Sequence, residues 1–145
     1  MSVETTPVDE VGWQQQWDSA GLFHADIHPD RPKFYCLEMY PYPSGKMHMG
    51  HVRNYSIGDA VARYKRLMGF DVLYPMGFDS FGMPAENAAI SEGGHPHDIT
   101  ERNMASITEQ IKRMGFSYDW RRTLKSHDPR SVSYTHLTLP TRRFV

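Results

Sequence analysis

The sequence predicts an α/β fold with parallel strands. An aromatic segment, residues 33–40 (KFYCLEMY), lies between Pro32 and Pro41 and has the composition of a strand. Residues 50–68 then repeat apolar side chains at helical spacing, and a short apolar segment, residues 71–74 (DVLY), follows. Strand, helix and strand within about 30 residues form a βαβ unit, which implies parallel strands joined by a right-handed crossover.

Two further helices are predicted, one on each side of this unit. Residues 11–19 place Trp13 and Trp17 four positions apart on one helical face, which we expect to serve packing rather than chemistry. Farther along, Asp98 and Glu101 form a capping-box pattern before another helix. The apolar stripe of that helix consists of Met104, Ile107, Ile111 and Met114.

The composition of the 145 residues, 39% hydrophobic and 23% charged, is that of one soluble globular domain. A formal net charge of -1 gives no bulk attraction to nucleic acid. The single cysteine, Cys36, excludes an internal disulfide, fits a reducing cytosol and is expected to be buried. A polar start and the lack of an apolar run of ~20 residues predict a cytoplasmic protein without a membrane span. We expect Arg63, Lys65 and Arg66 to form a solvated helix face rather than a tRNA contact.

Two loops rich in proline and glycine follow the predicted strands. Residues 41–49 (PYPSGKMHM) come after the first strand, and residues 75–86 come after the second. In open parallel sheets, ligands bind outside the carboxyl ends of the strands. We therefore expect the two loops to face one crevice.

The sharpest local motif is His48-Met49-Gly50-His51, where the first loop meets the helix. Glycine lets the backbone approach a base or phosphate closely, and a helix start offers N–H groups to anions. The two histidines could donate hydrogen bonds to phosphate oxygens in a nucleotidyl-transfer transition state. A purely structural role is equally compatible with this spacing alone. Zinc is disfavoured because no third ligand is near in the sequence, so we predict no metal site.

A longer pattern surrounds this motif. Residues 34–59 (FYCLEMYPYPSGKMHMGHVRNYSIGD) resemble the signature segment of bacterial leucyl-tRNA synthetases almost residue for residue. Residues 77–89 (GFDSFGMPAENAA) and residues 114–120 (MGFSYDW) resemble two later segments of that family, in the same order. The resemblance extends over roughly residues 13–129. It implies the first half of a class I synthetase catalytic domain, a partial Rossmann-like parallel nucleotide-binding fold.

The resemblance also implies a chemistry and a set of site residues. The family activates leucine with ATP to form leucyl-adenylate and transfers it to tRNA(Leu), so the partners implied are leucine, ATP with Mg²⁺, and tRNA(Leu). The complete protein is expected to be a monomer. Carried onto this sequence, the ATP-binding residues are His48, Met49, Gly50 and His51, of which the two histidines are catalytic. The implied leucine-binding residues are Met39, Tyr40 and Tyr42 for the side chain and Asp79 for the ammonium group.

Taken without the resemblance, these residues have ordinary alternatives. Asp79 would more often be a loop-capping or solvated acid, and Met39, Tyr40 and Tyr42 would more often be strand and core residues. Other functions also share the His-x-Gly-His spacing, among them isoleucyl- and valyl-tRNA synthetases and small cytidylyltransferases. A non-catalytic nucleotide- or RNA-binding module derived from a synthetase is a further alternative.

The predicted organisation has two parts. Residues 1–130 form the N-terminal part of a catalytic nucleotide-binding domain, and residues 131–145 form an unassigned tail that we expect not to be native to the family. The family's second ATP-binding signature, Lys-Met-Ser-Lys-Ser, does not occur in these 145 residues. We therefore expect this chain alone to be inactive in aminoacylation.

Overall fold

The structure, a computed structural model, describes residues 9–138, with side chains described for residues 9–133. Helices alternate with short strands along this part of the chain. In chain order the elements are α1 (Glu10–Ser19), β1 (Lys33–Tyr35), α2 (Met49–Leu67), β2 (Asp71–Leu73), β3 (Gly77–Phe78), α3 (Met83–Glu92), α4 (Pro96–Arg113), a 3₁₀ helix (Trp120–Arg122), β4 (Leu124–Lys125) and α5 (Pro129–Thr138).

Both strand pairs are parallel, which confirms the predicted βαβ unit. Phe34 of β1 is in register with Val72 of β2, and the helix α2 connects these strands. A second parallel pair joins β3 to β4, with Phe78 opposite Lys125. The chain passes from the carboxyl end of β1 into the first predicted loop. The loop predicted for residues 75–86 is partly wrong, because it contains β3, and a loop follows only after Phe78.

The predicted strand over residues 33–40 is too long, because β1 ends at Tyr35. One further backbone bond, from Cys36 N–H to the Leu73 carbonyl at 2.9 Å, continues the pairing. Beyond it the Glu38 carboxylate turns inward, and its Oε2 accepts hydrogen bonds from two tyrosine hydroxyls at 2.9 and 2.7 Å. Burial raises the pKa of Glu38, although these two bonds act in the opposite direction. After Cys36 the path of the segment is therefore set by the hydrogen bonds of the half-buried Glu38 carboxyl group and not by strand pairing.

The helix α4 begins earlier than the capping-box pattern predicts. His95 is its N-cap and accepts the backbone N–H of His97 at Nδ1, and Pro96 occupies the first helical position. Proline suits that position because its φ is already helical and its missing N–H would have no partner there. Asp98 consequently lies inside the first turn, not at the cap. Before α4, the helix α3 begins at Met83 and shortens the loop predicted for residues 75–86.

The core lies between α2, α4 and the strands. Ile107 and Ile111 of the predicted α4 stripe are fully buried, and Cys36 is buried as expected. The buried cluster consists of Cys36, Tyr55, Ala62, Val72, Tyr74, Met76, Phe78, Met104, Ile107, Ile111 and Tyr118.

The three basic residues of α2 that were predicted to form a solvated face do not form one, and Lys65 lies over the rings of Phe34 and Phe70. Arg63 donates to the carboxylate of Asp59 at 2.7 Å and to the carbonyl of Gly115 at 2.6 Å. Arg66 donates to the hydroxyl and carbonyl oxygens of Ser117 at 2.7 and 2.9 Å. The bonds to Gly115 and Ser117 join α2 to the segment after α4. These arginines therefore make tertiary contacts instead of facing solvent.

The predicted boundary at residue 130 falls within α5 (Pro129–Thr138). Residues 139–145 of the predicted tail lie outside the described residues. The division into a domain and a tail therefore stays a prediction. Within residues 9–138, every helix is too short or too polar to cross a bilayer.

Candidate active site

His48 and His51 cap the start of α2 reciprocally. The Nδ1 atom of His48 accepts the backbone N–H of Gly50 at 3.1 Å, and the backbone N–H of His48 donates to Nδ1 of His51 at 3.2 Å. The ring centroids are 4.0 Å apart. An imidazole that accepts at Nδ1 in its neutral form carries its proton at Nε2. In the neutral form each ring therefore carries an Nε2–H donor.

The environment favours the neutral form of His51. Burial lowers the pKa of His51, and the neighbouring His48 lowers it further. Protonation at Nδ1 would also break the bond from the His48 backbone. The helix start was expected to offer its backbone N–H groups to an anion. The N–H of Gly50 is instead bonded to the His48 ring.

Tyr55 connects the histidines to the segment after β1. Its ring stacks on His51 with centroids 5.9 Å apart, and its hydroxyl donates to the carbonyl of Met39 at 3.2 Å. Only 1% of Tyr55 is exposed. Burial, reinforced by Glu38, raises the pKa of Tyr55 to about 12, so the hydroxyl remains a donor at neutral pH.

The same segment contacts the loop after β3. The backbone N–H of Asp79 donates to the carbonyl of Pro41 at 3.1 Å. The Tyr40 ring lies directly over Gly77, where an added Cβ would come within 2.5 Å of its Cε2 atom. Residues 39–42 are thus in contact with both the helix that carries the histidines and the loop that carries the aspartate.

Asp79 is half-buried, and its Oδ1 accepts the hydroxyl of Ser126 at 3.3 Å. Ser126 follows β4 and also accepts the backbone N–H of Ser80 at 2.7 Å. The neighbouring Ser80 hydroxyl lies 2.6 Å from Nδ1 of His127. The loops after β3 and β4 therefore form one hydrogen-bonded unit.

A charged group lies beside this unit. Glu101 of α4 contacts Nε2 of His127 at 3.1 Å, and both of its oxygens accept from Lys125 Nζ at 2.8 and 2.7 Å. Potential metal-ligand atoms of His97, Glu101 and His127 lie within 4.8 Å of one another. Because the Lys125 ammonium already neutralises the carboxylate, we describe this group as an ion-paired network and assign no metal to it.

The structure thus connects the sequence-predicted residues by contacts that run from His51 through Tyr55 and residues 39–41 to Asp79. Met39 is 71% exposed and Tyr42 is 49% exposed, so both are open to a ligand rather than core residues. Tyr40 is half-buried and His48, Met49 and Gly50 are exposed. The bond between Asp79 and Pro41 shows that the two predicted loops are in contact, and a ligand crevice shared by them stays a prediction.

A family model described as tRNA synthetases class I (M) matches residues 35–144, more than two thirds of the chain. The chain belongs to the class I tRNA synthetases. Curated relatives named leucine–tRNA ligase agree with this assignment. That of Nitratidesulfovibrio vulgaris (strain Miyazaki F) is 59% identical over 120 residues, and that of Paramagnetospirillum magneticum (strain AMB-1) is 58% identical over 120 residues. Each alignment covers 83% of this chain and 14% of the relative, so the chain spans about a seventh of their length.

Solved structures support the class I synthetase fold. The LeuRS of Agrobacterium radiobacter K84, in a ternary complex with tRNA and LeuAMS, superposes with a TM-score of 0.85 at 45% identity. It covers 90% of this chain, which corresponds to 17% of that protein. The methionyl-tRNA synthetase of Mycobacterium tuberculosis, in complex with methionyl-adenylate, has a TM-score of 0.64 at 28% identity over 68% of this chain and 19% of its own.

Three side chains of this candidate site are not singled out by the sequence motifs. The helical pattern of the sequence predicts Tyr55 to be a core residue, but in the structure it contacts both His51 and Met39. Ser126 and His127 lie 47 positions after the residues they contact, in a segment without a clear period. Ser126 and His127 directly follow a strand, and this position was the one signal that could have marked them as site residues. That strand, β4, has just two residues and is too short to be recognised in the sequence.

Proposed function

We propose that the complete protein containing this chain is a leucine–tRNA ligase, and that this chain supplies the part of its active site that binds ATP and the amino group of leucine. The observation that carries the proposal is the continuous contact from His51 through Tyr55 and residues 39–41 to Asp79. A nucleotide held at one end and an ammonium group held at the other would meet above residues 39–42.

On the nucleotide side, His48 and His51 act as hydrogen-bond donors. Their Nε2–H groups would bond to phosphate oxygens of ATP as negative charge develops there. Met49 and Gly50 at the helix start would lie against the nucleotide. Rings that present N–H groups are donors to phosphate rather than ligands for a cation, so Mg²⁺ would enter bound to the phosphate oxygens of ATP, without a ligand from this motif.

On the amino-acid side, the Asp79 carboxylate would bind the α-ammonium group of leucine. The exposed side chains of Met39 and Tyr42, with the half-buried Tyr40, would form part of the apolar pocket for the leucine side chain. The Tyr40 ring over Gly77 fixes the wall of that pocket next to the aspartate loop.

The reaction follows from this placement. A carboxylate oxygen of leucine attacks the α-phosphorus of ATP, and a bond from oxygen to phosphorus forms as the bond to the leaving pyrophosphate breaks. The electron pair of that bond leaves with pyrophosphate. No covalent nucleophile of the protein is required, so positioning and stabilisation of charge supply the acceleration. In the second step, a terminal hydroxyl of tRNA(Leu) attacks the leucyl carbonyl and AMP leaves.

The names of the relatives support leucine and tRNA(Leu) as the partners, and the adenylate in the methionyl-tRNA synthetase neighbour supports an adenylate intermediate. We propose a monomeric, cytoplasmic enzyme for the complete protein. The segments that complete the site in relatives would have to come from the remaining six sevenths of such a protein.

The test is a chimaeric ligase, in which the matching 120 residues of the Nitratidesulfovibrio vulgaris relative are replaced by those of this chain. Exchange of labelled pyrophosphate into ATP is measured with leucine, isoleucine, valine and methionine. We expect exchange with leucine to exceed that with valine roughly 10- to 200-fold, the range that one methylene gives in an apolar pocket, and to exceed that with isoleucine as well.

Two results would contradict the proposal. A folded chimaeric ligase without leucine-dependent exchange would indicate a nucleotide- or RNA-binding module instead. Preferential exchange with isoleucine or valine would assign the site to one of those synthetases. The unmodified relative serves as the positive control in both cases.

A further inference from the structure

A second layer of side chains lies behind Asp79, contributed by α4 and by the loop after β4. The parallel pairing of β3 with β4 places Ser126 next to Asp79, and the backbone N–H of Ser126 donates to the carbonyl of Phe78 at 3.1 Å. Two chain segments that are far apart in the sequence thereby share one edge of the sheet.

The hydrogen bonds of Ser126 determine where its proton lies. Its oxygen accepts the backbone N–H of Ser80 at 2.7 Å, which occupies a lone pair. Its one O–H can then donate to Oδ1 of Asp79 at 3.3 Å. Since Ser126 is fixed by a backbone donor, it can hold the carboxylate in one orientation.

His127 fixes the other side of the loop. Its Nε2 faces a carboxylate oxygen of Glu101, which can only accept, so Nε2 carries a proton. In the neutral ring Nδ1 then accepts from the Ser80 hydroxyl, 2.6 Å away. The backbone N–H of His127 also reaches the Ser80 oxygen, at 3.4 Å.

The neighbours of Glu101 favour its ionised form, which can only accept hydrogen bonds. Partial burial raises its pKa, but the hydrogen bonds and charge of Lys125, together with His127, bring the pKa below its ordinary value. Besides Glu101 and the Ser80 hydroxyl, His127 faces the ring of His97, with centroids 5.8 Å apart and nearly perpendicular. The group is therefore a chain of oriented hydrogen bonds that runs from α4 to the loop after β3.

We propose that Ser126, His127 and Glu101 are positioning residues that hold the Asp79 carboxylate in place for the ammonium group of the amino-acid substrate. This inference rests on the proposed function, because it assigns the ammonium group to Asp79. Ser126 acts on the carboxylate directly. His127 and Glu101 act through Ser80, whose backbone N–H bonds to Ser126.

The test compares the KM for leucine with the KM for ATP in the exchange reaction of the chimaeric ligase. Ser126→Ala removes the donor to Asp79, and we expect the leucine KM to rise about 10-fold while the ATP KM changes less than about twofold. Ser126→Thr keeps the hydroxyl and should restore the leucine KM.

His127 offers a matched set of substitutions. His127→Asn places an amide near the Nδ1 position, where its oxygen can accept from Ser80, whereas His127→Ala removes both bonds. We expect a leucine KM about fivefold higher for the alanine variant and largely restored for the asparagine variant. Glu101→Gln should have a smaller effect of the same kind. The exposed His24, in the connection between α1 and β1, is the control, and His24→Ala should leave both KM values unchanged.

The outcomes separate this inference from the proposed function. If Asp79→Asn raises the leucine KM but Ser126→Ala and His127→Ala do not, the positioning role is wrong and the proposed function stands. Equal rises in the leucine KM and the ATP KM would assign these residues to stability alone and overturn the inference. The same conclusion would follow if Ser126→Thr restored folding but not the leucine KM. If Asp79→Asn itself leaves the leucine KM unchanged, the proposed function fails.

Discussion

The backbone N–H of Asp79 donates to the carbonyl of Pro41 at 3.1 Å, and this bond joins the two loops of the site. Met39 lies two residues before Pro41, and its carbonyl accepts the hydroxyl of Tyr55. The bond to Pro41 therefore connects Asp79 to the segment that contacts Tyr55. Two residues of extended chain span at most about 7 Å, so the bond to Tyr55 and the bond to Asp79 are close in space. The aspartate and the histidine motif are therefore coupled by one short backbone segment.

Replacement of the Asp79 carboxylate gives the most direct prediction. Asp79→Asn keeps the size of the side chain but removes the charge that would pair with the ammonium group of leucine. Loss of one partner of a hydrogen-bonded charge pair costs roughly 2–5 kcal/mol, so we expect the leucine KM in the exchange reaction to rise at least about 30-fold. The ATP KM should change little. An equal rise in both values would mean that the loop, not the charge, had been lost.

Gly50 gives a prediction about close approach. A Cβ at this position would lie 2.9 Å from both Cε1 and Nδ1 of the His48 ring, so the ring would have to move and its bond to the Gly50 N–H would weaken. We expect Gly50→Ala to raise the ATP KM about 10-fold, with a smaller effect on the leucine KM.

Gly45 is the matched control for this substitution. A Cβ there meets no atom within 4 Å, and the backbone φ of Gly45 is not positive. Gly45→Ala should therefore leave both KM values within about twofold of the parent chimaeric ligase. A similar loss in the two alanine variants would show that general stiffening of the loop, not the His48 ring, is responsible.

Asp59 gives a prediction about stability rather than catalysis. Its Oδ1 accepts the backbone N–H and the hydroxyl of Ser117, both at 2.6 Å, and its Oδ2 accepts from Arg63. Only 8% of Asp59 is exposed. We expect Asp59→Asn to lower the free energy of unfolding by about 3 kcal/mol, because a buried charged acceptor is replaced by an amide that must turn an N–H toward one of these donors.

Urea denaturation of this chain, followed by tryptophan fluorescence, measures that change. Asp98→Asn is the control, because the Asp98 side chain is 79% exposed and its ion pair is with the exposed His97. Its midpoint should be close to that of the wild type. A wild-type midpoint for Asp59→Asn would contradict the structural role of the Asp59–Ser117 bonds.

The βαβ unit could be predicted because its signals are local. The apolar positions of α2 have a helical period, and the flanking segments 33–40 and 71–74 are aromatic or apolar and bounded by proline. The rule for the carboxyl ends of parallel strands then places both loops at one crevice. The end of β1 could not be predicted, because it depends on tyrosine hydroxyls that reach Glu38 from 36 and 80 positions away.

The site could be predicted only where it is contiguous in the sequence. His48 and His51 face each other because they belong to one helical turn, and Asp79 follows directly from a strand end. Ser126 and His127 reach the site through the pairing of two strands of two residues each, which are too short to show a period. Arg63 and Arg66 have the spacing of a solvated face, and the carbonyls of Gly115 and Ser117 to which they donate lie 52 and 51 positions away.

The lowered pKa of His51 predicts how stability depends on pH. Burial and the neighbouring His48 make the folded protein take up this proton at a lower pH than the unfolded chain, whose histidine has the ordinary value of 6.5. Between the lowered value and 6.5 the unfolded chain binds more protons, so the His51 contribution to the free energy of unfolding decreases as the pH falls through this interval. Above 6.5 it is constant.

His51→Asn isolates this contribution. The Oδ1 atom of asparagine can accept the His48 backbone N–H in place of Nδ1, so the cap is kept while the titrating group is removed. We expect the free energy of unfolding of the wild type minus that of the variant, measured by urea denaturation at several pH values, to be flat above 6.5 and to fall below it. A difference that rises as the pH falls would mean that the folded protein favours the charged ring, and His51 would then approach ATP as a cation rather than as a neutral donor.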